Sequence, residues 1–307
     1  MTALALLALL VAGAAGYVSW ASHSIAHGAP VWWFVLTAPA VYFTPAVVLV
    51  AIWCAVTWVW RTPRPPEAQI GIAGALRLFL LETWTLGASW PLMALHRLLI
   101  RDPPPASSSL AVVLIHGVLV NDGVWLFARQ RLARLGVAPI YTMNYGPPYA
   151  DIECFAQQLA TRIEGVCAAT GAERVILVGH SMGGLVARAY LRRHGHRRVA
   201  KIVTIGTPHH GSILAWTFPG RGLEQMRPGN TWLAELNREE GHPTPVPIVS
   251  IWSRHDSMVA PQASSELACA QNTPLIGTGH NSLIGDARVL ERVTREFDSA
   301  RGRSPHA

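Results

Sequence analysis

The chain has 307 residues, of which 50% are hydrophobic and only 14% are charged, and its mean hydropathy is +0.27. These values exclude a uniformly polar soluble protein and indicate membrane-like segments beside a folded domain. The net charge of +7 comes almost wholly from scattered arginines, and the only short basic cluster covers residues 194–198. A nucleic-acid partner is therefore not expected. The four cysteines form no disulfide framework and no metal-like grouping with histidine.

Two uncharged apolar runs stand at the beginning of the chain. The run of residues 2–20 is just long enough to span a bilayer. The longer run 31–60 carries tryptophans near both ends, as an aromatic belt requires. We therefore predict two transmembrane helices within residues 1–60. A cleaved signal peptide is the alternative for the first run, although that run lacks a basic segment before its apolar stretch.

The placement of arginines predicts the orientation of these helices. Residues 21–30, between the two runs, contain no Arg or Lys. Five arginines follow the second run, at Arg61, Arg64, Arg77, Arg97 and Arg101. By the positive-inside rule, the domain after residue 60 lies in the cytoplasm beside a membrane of the bacterial inner-membrane type, with the periplasm as the alternative.

The segment 61–109 joins the apolar runs to the domain that follows. Residues 70–100 are apolar but contain Arg77, Glu82 and His96, which favours an interfacial amphipathic helix with its charges on the headgroup side. A helical cap packed on the next domain and a third membrane span are the alternatives. Residues 102–109 are rich in proline and serine and predict a linker.

From residue 110 onward, strand-like apolar runs alternate with helix-length segments, which predicts a mostly parallel sheet covered by helices. This domain covers residues 110–300, and residues 301–307 form a tail. The predicted strands are 111–116, 138–144, 174–178, 199–205, 246–252 and 273–276. The predicted helices are 124–135, 151–169, 185–194, 262–270 and 286–299.

The most specific motif lies at residues 175–184, where an apolar run opens into Gly-His-Ser-Met-Gly-Gly. A serine between glycines, at a turn from a strand into a helix, is the nucleophile elbow of serine hydrolases. The turn exposes the serine hydroxyl, and the glycines let the strand and the helix pass close to each other. Ser181 is therefore the candidate nucleophile, and the rest of the domain must supply a base, an acid and an oxyanion hole.

Five motifs in this domain together resemble the α/β-hydrolase superfamily, and most closely bacterial triacylglycerol lipases and esterases. They are Leu114-Ile-His-Gly117, Gly179-His-Ser-Met-Gly-Gly184, Gly206-Thr-Pro-His-His-Gly-Ser212, His255-Asp256 with Val259, and Gly279-His280-Asn281. The similarity spans roughly residues 111–297. It implies an α/β-hydrolase fold, with helices on both faces of a mostly parallel sheet and a small cap, preceded here by the N-terminal transmembrane helical region.

The order of the family's motifs implies a catalytic triad of Ser181, Asp256 and His280. His280 follows a predicted strand in a glycine-rich loop, and Asp256 follows the predicted strand 246–252. A solvated loop histidine and an ordinary turn aspartate are the alternative interpretations. The rival histidines and carboxylates are His209, His210, His255, Glu266 and Asp286.

The same resemblance implies an oxyanion hole and a substrate pocket. The backbone N–H groups of Val118 and Met182 would hold the oxyanion, unless Gly117 serves only a tight turn. The segment 212–245 lies where lipases carry a lid and is expected to form a small cap. Its candidate pocket residues, which fit a local core equally well, are Leu214, Trp216, Phe218, Met226 and Trp232. Ser282 stands where several bacterial lipases have a calcium-binding aspartate, so a calcium requirement is not implied.

Together these features predict a membrane-anchored serine carboxylic ester hydrolase, of the lipase or esterase type, that forms an acyl-enzyme. Its expected partners are the bilayer and a lipid or small ester substrate, and no cofactor or metal is expected. An acyltransferase with the same triad is one alternative, because the triad does not decide whether water or an alcohol takes the acyl group. A catalytically inactive membrane scaffold is the other alternative. The oligomeric state stays open.

Overall fold

The apolar runs of the second half of the chain form a parallel six-stranded sheet in the computed structural model, which describes residues 3–238 and 244–302. Residues 303–307 of the expected tail lie outside the described part. The strand order is β2-β1-β3-β4-β5-β6, so the strand that leads to Ser181 has two neighbours on one side and three on the other. The strands are β1 Leu110–Ile115, β2 Ile140–Met143, β3 Arg174–His180, β4 Val199–Ile205, β5 Ile248–Ser253 and β6 Gln271–Leu275.

Helices cover both faces of this sheet, which is why its inner strands read as continuous apolar runs. Along β1, Val113 packs in the core cluster shared with α6 and α7, and Leu114 packs in the cluster shared with α5 and α10. The helices are α1 Ala3–Ala26, α2 Val31–Val59, α3 Gly71–Ala94, α4 His96–Leu99, α5 Leu126–Arg134, α6 Ile152–Thr170, α7 Met182–His194, α8 Arg221–Gln225, α9 Thr231–Leu236 and α10 Ala287–Ala300. This is the predicted α/β class with its two covered faces.

One predicted helix of the domain is wrong. Residues 262–270 contain only the 3-10 turn Gln262–Ser265. Side chains there bond the backbone of neighbouring loops, since Gln262 donates to the carbonyl of Asp256 and Ser264 donates to the carbonyl of Gly211. Such side-chain to backbone bonds compete with helix formation.

The N-terminal helices pack against one another and against the sheet domain. By length and composition, α1 and α2 are apolar enough to cross a membrane, a property that signal sequences and buried core helices share. Helix α2 packs on α3, and a small apolar cluster joins Val50 and Trp53 of α2 to Leu86 of α3 and to Leu214 of the sheet domain. The apolar N-terminal region is therefore in contact with the domain that contains the elbow.

Helix α3 has two different faces. One face carries the exposed apolar side chains of Ile72, Leu76, Leu80 and Trp84, which recur every four residues along one side of the helix. The other face contains Glu82, which is completely buried. The expected placement of the charges at a headgroup side is therefore wrong for Glu82, because this carboxylate is turned into the sheet domain and bonded there.

Candidate active site

The nucleophile elbow forms where β3 ends and α7 begins. Ser181 has φ 55°, a strained conformation for a residue with a side chain. Two glycines permit the close crossing of strand and helix. A Cβ on Gly179 would lie 2.5 Å from the carbonyl carbon of Gly183, and a Cβ on Gly183 would lie 2.4 Å from the carbonyl oxygen of Ile115. The predicted strand, turn and helix context of Ser181 is thus present.

Asp256 and His280 come from the loops that follow β5 and β6, and their side chains meet. Nδ1 of His280 lies 2.9 Å from Oδ2 of Asp256, and both side chains are buried. The other carboxylate oxygen of Asp256 accepts the backbone N–H groups of Met258 at 2.8 Å and Val259 at 2.7 Å. Because a carboxylate only accepts, Nδ1 of His280 donates, and its Nε2 is left as a proton acceptor.

Ser181 and His280 line one cavity of about 220 Å³, together with Val118. The rival histidines are held elsewhere by other partners. His209 contacts Thr204 and Arg188, His210 contacts the carbonyl of Ser264, and Nδ1 of His255 accepts the N–H of Gly277.

The rival carboxylates are also engaged elsewhere or turned outward. Asp286 caps α10 and pairs with Arg288. Glu266 is exposed. Neither carboxylate is bonded to His280, so Asp256 is the carboxylate bonded to this imidazole.

The surroundings raise the pKa of His280 and lower the pKa of the two histidines near it. Burial lowers the pKa of His280, but the charge and hydrogen bond of Asp256 and the charge of Glu82 outweigh it, so its pKa lies above the ordinary value. Burial lowers the pKa of His116 to about 4 and holds that of His180 well below the ordinary value. His180 donates from Nε2 to the carbonyl of His280 at 3.1 Å, and the two rings are 4.6 Å apart.

The two candidate oxyanion donors come from the turn after β1 and from the start of α7. Val118 follows the end of β1 and lines the cavity, and Met182 is the first residue of α7. Within the described residues, neither backbone N–H is bonded to a protein acceptor. Tyr145 donates its hydroxyl to the carbonyl oxygens of His116 at 2.5 Å and Gly117 at 3.2 Å. These bonds tie down the carbonyls of the turn that presents the Val118 N–H.

Three of the five candidate pocket residues line the cavity, namely Leu214, Phe218 and Met226. The other two do not reach it. Trp216 is exposed, with the guanidinium of Arg227 over its ring at 4.3 Å. Trp232 donates its indole N–H to Glu153 at 2.9 Å on the outer side of α6. Each indole is thus held by a surface charge on another element.

The sequence interpretation missed a wall of the cavity that comes from the N-terminal helices. Trp53 of α2 and Leu86, Trp90 and Met93 of α3 line the same space as Ser181. Their apolar character favours membrane-spanning or interfacial helices, and a helical cap packed on the next domain is only the alternative for residues 70–100. No local pattern distinguishes a tryptophan at a bilayer surface from one that faces a pocket.

Glu82 is the second feature that was missed. Its carboxylate accepts hydrogen bonds from Ser257, Asn281 and Ser282, which are neighbours of Asp256 and His280 in the chain. A signal existed, because a lone carboxylate in a long apolar stretch is costly to bury without a specific partner.

Ser282, which stands where several bacterial lipases have a calcium-binding aspartate, has protein partners. It donates its N–H to Oε1 of Glu82 at 2.8 Å and its hydroxyl to the carbonyl of Gly279 at 3.3 Å. Among the described residues, no group of three or more histidine, cysteine, aspartate or glutamate side chains could hold a metal ion.

The chain is similar over part of its length to several known proteins. A family described as a PGAP1-like alpha/beta domain matches residues 150–278, which include Ser181 and Asp256 and end before His280. A triacylglycerol lipase of Burkholderia plantarii is 32% identical over 163 residues, covering 50% of this chain and 44% of that lipase. A triacylglycerol lipase of Pseudarthrobacter phenanthrenivorans is 36% identical over 118 residues, or 36% of each chain.

Among solved structures, the mature form of a lipase from Bacillus licheniformis is similar with a TM-score of 0.55 and 18% identity, over 64% of this chain and 95% of that chain. The chain therefore has the α/β-hydrolase fold. The chain spans less than half the length of each of these two curated triacylglycerol lipases. Over the matched residues its sequence is similar to triacylglycerol lipases, as the resemblance of its motifs implies.

Proposed function

We propose that the chain is a membrane-anchored serine carboxylic ester hydrolase that acts on acylglycerols or other lipid esters. One observation carries this proposal. The strained elbow serine Ser181 shares a cavity with His280, whose other ring nitrogen is bonded to the buried carboxylate of Asp256. This is the combination of nucleophile, base and orienting acid that acyl transfer requires.

In the acylation step, Oγ of Ser181 attacks the ester carbonyl while Nε2 of His280 accepts the hydroxyl proton. The resulting oxyanion receives hydrogen bonds from the N–H groups of Val118 and Met182, and each such donor is worth about 3 kcal/mol of transition-state stabilisation. Asp256 stabilises the imidazolium. The tetrahedral intermediate then expels the alcohol, which takes the proton from His280, and the acyl group stays on Ser181.

Deacylation repeats these roles with water as the nucleophile. His280 accepts a proton from the water as it attacks the acyl-enzyme carbonyl. The intermediate collapses, the ester bond to Ser181 breaks, and Oγ recovers its proton from His280 while the carboxylic acid leaves. The same residues thus serve both half-reactions.

The position of the cavity supports a lipid substrate. Its walls include Trp53 of α2 and Trp90 of α3. Helix α2 is apolar enough to cross a membrane, and helix α3 exposes an apolar stripe on another side. An acyl chain that enters between these helices would exchange a bilayer for an apolar pocket. We propose that substrate esters are taken from the membrane to which the N-terminal helices anchor the protein.

The test is active-site labelling with a fluorophosphonate probe, on the wild type and on Ser181→Ala in the full chain. We expect labelling of the wild type only. A series of p-nitrophenyl esters then measures acyl preference, and we expect a rate maximum at medium or long chains. Labelling that persists in Ser181→Ala would overturn the nucleophile assignment, and a maximum at the shortest chains would overturn the lipid substrate.

Two other outcomes would replace the proposed activity. If acyl groups appear on an added alcohol in preference to water, the protein is an acyltransferase. If the folded wild type neither labels nor turns over any ester, the fold serves as an inactive membrane scaffold. Product analysis by mass spectrometry with and without an alcohol acceptor separates these outcomes from hydrolysis.

A further inference from the structure

A buried carboxylate from the N-terminal region lies behind the candidate triad. The Glu82 side chain belongs to α3, and it is completely buried. Within residues 3–238 and 244–302, it forms no ion pair with any arginine, lysine or histidine. Burying a carboxylate without such a partner is costly unless several donors satisfy it. Its hydrogen bonds therefore indicate why this position holds a glutamate.

Four donors reach the two carboxylate oxygens of Glu82. Oε1 accepts the N–H of Ser282 at 2.8 Å. Oε2 accepts the N–H of Asn281 at 3.0 Å, the side-chain amide of Asn281 at 3.1 Å and the hydroxyl of Ser257 at 2.6 Å. Asn281 and Ser282 directly follow His280, and Ser257 directly follows Asp256. One carboxylate thus connects the base loop to the acid loop.

The connection extends to the backbone of His280 itself. The N–H of His280 donates to Oγ of Ser257 at 3.2 Å, and the Ser257 hydroxyl in turn donates to Glu82. The side chain of Glu82 also packs closely against Gly279 of the base loop, where an added Cβ would lie 2.3 Å from its Cδ. These contacts fix the loop on both sides of the imidazole.

We infer that Glu82 is a positioning residue of the active site, which holds the acid and base loops in register and places a second negative charge behind His280. This inference rests on the proposed triad. It makes the N-terminal region a structural part of the catalytic machinery, in addition to its proposed role as an anchor. The catalytic domain alone, without α3, would lack this part.

The charge of Glu82 has a consequence that a purely structural residue would not have. The ionisable groups around His280 are Asp256, Glu82 and the neutral His180. Asp256 and Glu82 both raise the pKa of His280, so removal of either charge lowers it. The acid limb of the kcat/KM profile, which reports neutralisation of the base, then moves to lower pH.

The experiment compares Glu82→Gln with the wild type and with Glu67→Gln, a control at an exposed carboxylate of the same N-terminal region. In the full chain, Glu82→Gln should lower kcat about 10- to 100-fold through loss of loop position. KM should change little, and the acid limb should move to lower pH. Glu82→Asp should restore the wild-type midpoint of the acid limb of kcat/KM. Glu67→Gln should match the wild type in kcat, in KM and in this midpoint.

An unchanged kcat and midpoint in Glu82→Gln would overturn the inference. A fall in kcat without a shift of the midpoint would assign Glu82 a structural role only. If Glu82→Gln does not fold, Ser257→Ala provides the second variant. It removes the bond to the His280 backbone and keeps the charge, so kcat should fall at an unchanged midpoint, and a wild-type kcat would contradict the positioning role.

Labelling separates this inference from the proposed function. If the wild type does not react with fluorophosphonate at Ser181, the proposed function itself is wrong. If the wild type reacts and Glu82→Gln reacts at the same rate over the whole pH range, only the role of Glu82 is wrong.

Discussion

The Nδ1 atom of His280 donates a hydrogen bond of 2.9 Å to Oδ2 of Asp256, and the two side chains are only 3% and 1% exposed. This pairing keeps the pKa of His280 above its ordinary value of 6.5 although burial lowers it. In the proposed mechanism, the imidazole of His280 must be neutral to accept the proton of Ser181. We therefore expect kcat/KM to decrease as the pH falls through a midpoint above 6.5, measured on a p-nitrophenyl ester across the titration range of histidine.

Loss of the Asp256 charge tests the same pairing. Asp256→Asn should lower kcat about 10⁴-fold, because the imidazole loses its orientation and the stabilisation of its charged form. Any remaining activity should have its acid limb at lower pH. Asp286→Asn, which alters the cap of α10, is the matched control and should keep nearly full activity. A larger loss in the control than in Asp256→Asn would reassign the acid.

The wall formed by α3 predicts a change in acyl preference. Trp90 is half-buried and lines the cavity beside Ser181, so Trp90→Ala should lengthen the space available to an acyl chain. We expect the acyl chain of the preferred p-nitrophenyl ester to be longer than in the wild type. The ratio of kcat/KM between neighbouring chain lengths should change by roughly tenfold or more. Trp216→Ala is the control, because that indole is exposed outside the cavity. Equal profiles for both variants would exclude α3 from the acyl site.

The crossing at the elbow predicts a sharp contrast between two glycines. A Cβ on Gly183 would lie 2.4 Å from the backbone oxygen of Ile115, so Gly183→Ala should displace the elbow and abolish fluorophosphonate labelling. Gly165 lies in α6 with nothing within 4 Å of its added Cβ. Gly165→Ala should raise the free energy of unfolding by about 1 kcal/mol and leave labelling intact. Normal labelling of Gly183→Ala would contradict the described crossing.

The orientation of the proposed anchor is testable with reporter fusions. Five arginines lie between α2 and β1, so we predict that the C-terminus lies in the cytoplasm. A cytoplasm-active reporter fused there should be active, and a periplasm-active reporter should be inactive. The reverse result would put the catalytic domain in the periplasm. The mass of the intact protein then tells whether residues 2–20 stay attached or are removed as a signal sequence.

Much of the sheet domain was predictable because its signals are local. Apolar runs with turn residues between them predicted all six strands, and β4 has the predicted bounds. Gly179, Ser181 and Gly183 predicted the elbow, since the glycine spacing is dictated by the close crossing of a strand and a helix. The order of motifs then predicted which aspartate and histidine would meet, and these two side chains are in fact bonded.

Predictions failed where a residue's environment depends on distant elements. The helix predicted at 262–270 gave way to side-chain bonds with other loops, and Trp216 and Trp232 are held by charged side chains from other segments. Apolar composition alone does not say whether an indole faces a cavity, a core or solvent. Such contacts arise only when the helices pack.

The sequence by itself determined the α/β class and the elbow at Ser181, because strand periodicity and glycine spacing are properties of short segments. The resemblance of its motifs also indicated that Asp256 and His280 would meet, and these side chains are bonded to each other. Only the tertiary structure decided that the N-terminal helices form a wall of the site and that Glu82 bonds the acid and base loops. The bond between Glu82 and Ser257 joins residues 175 positions apart in the chain. A buried carboxylate finds its donors only when the fold brings them within hydrogen-bond distance.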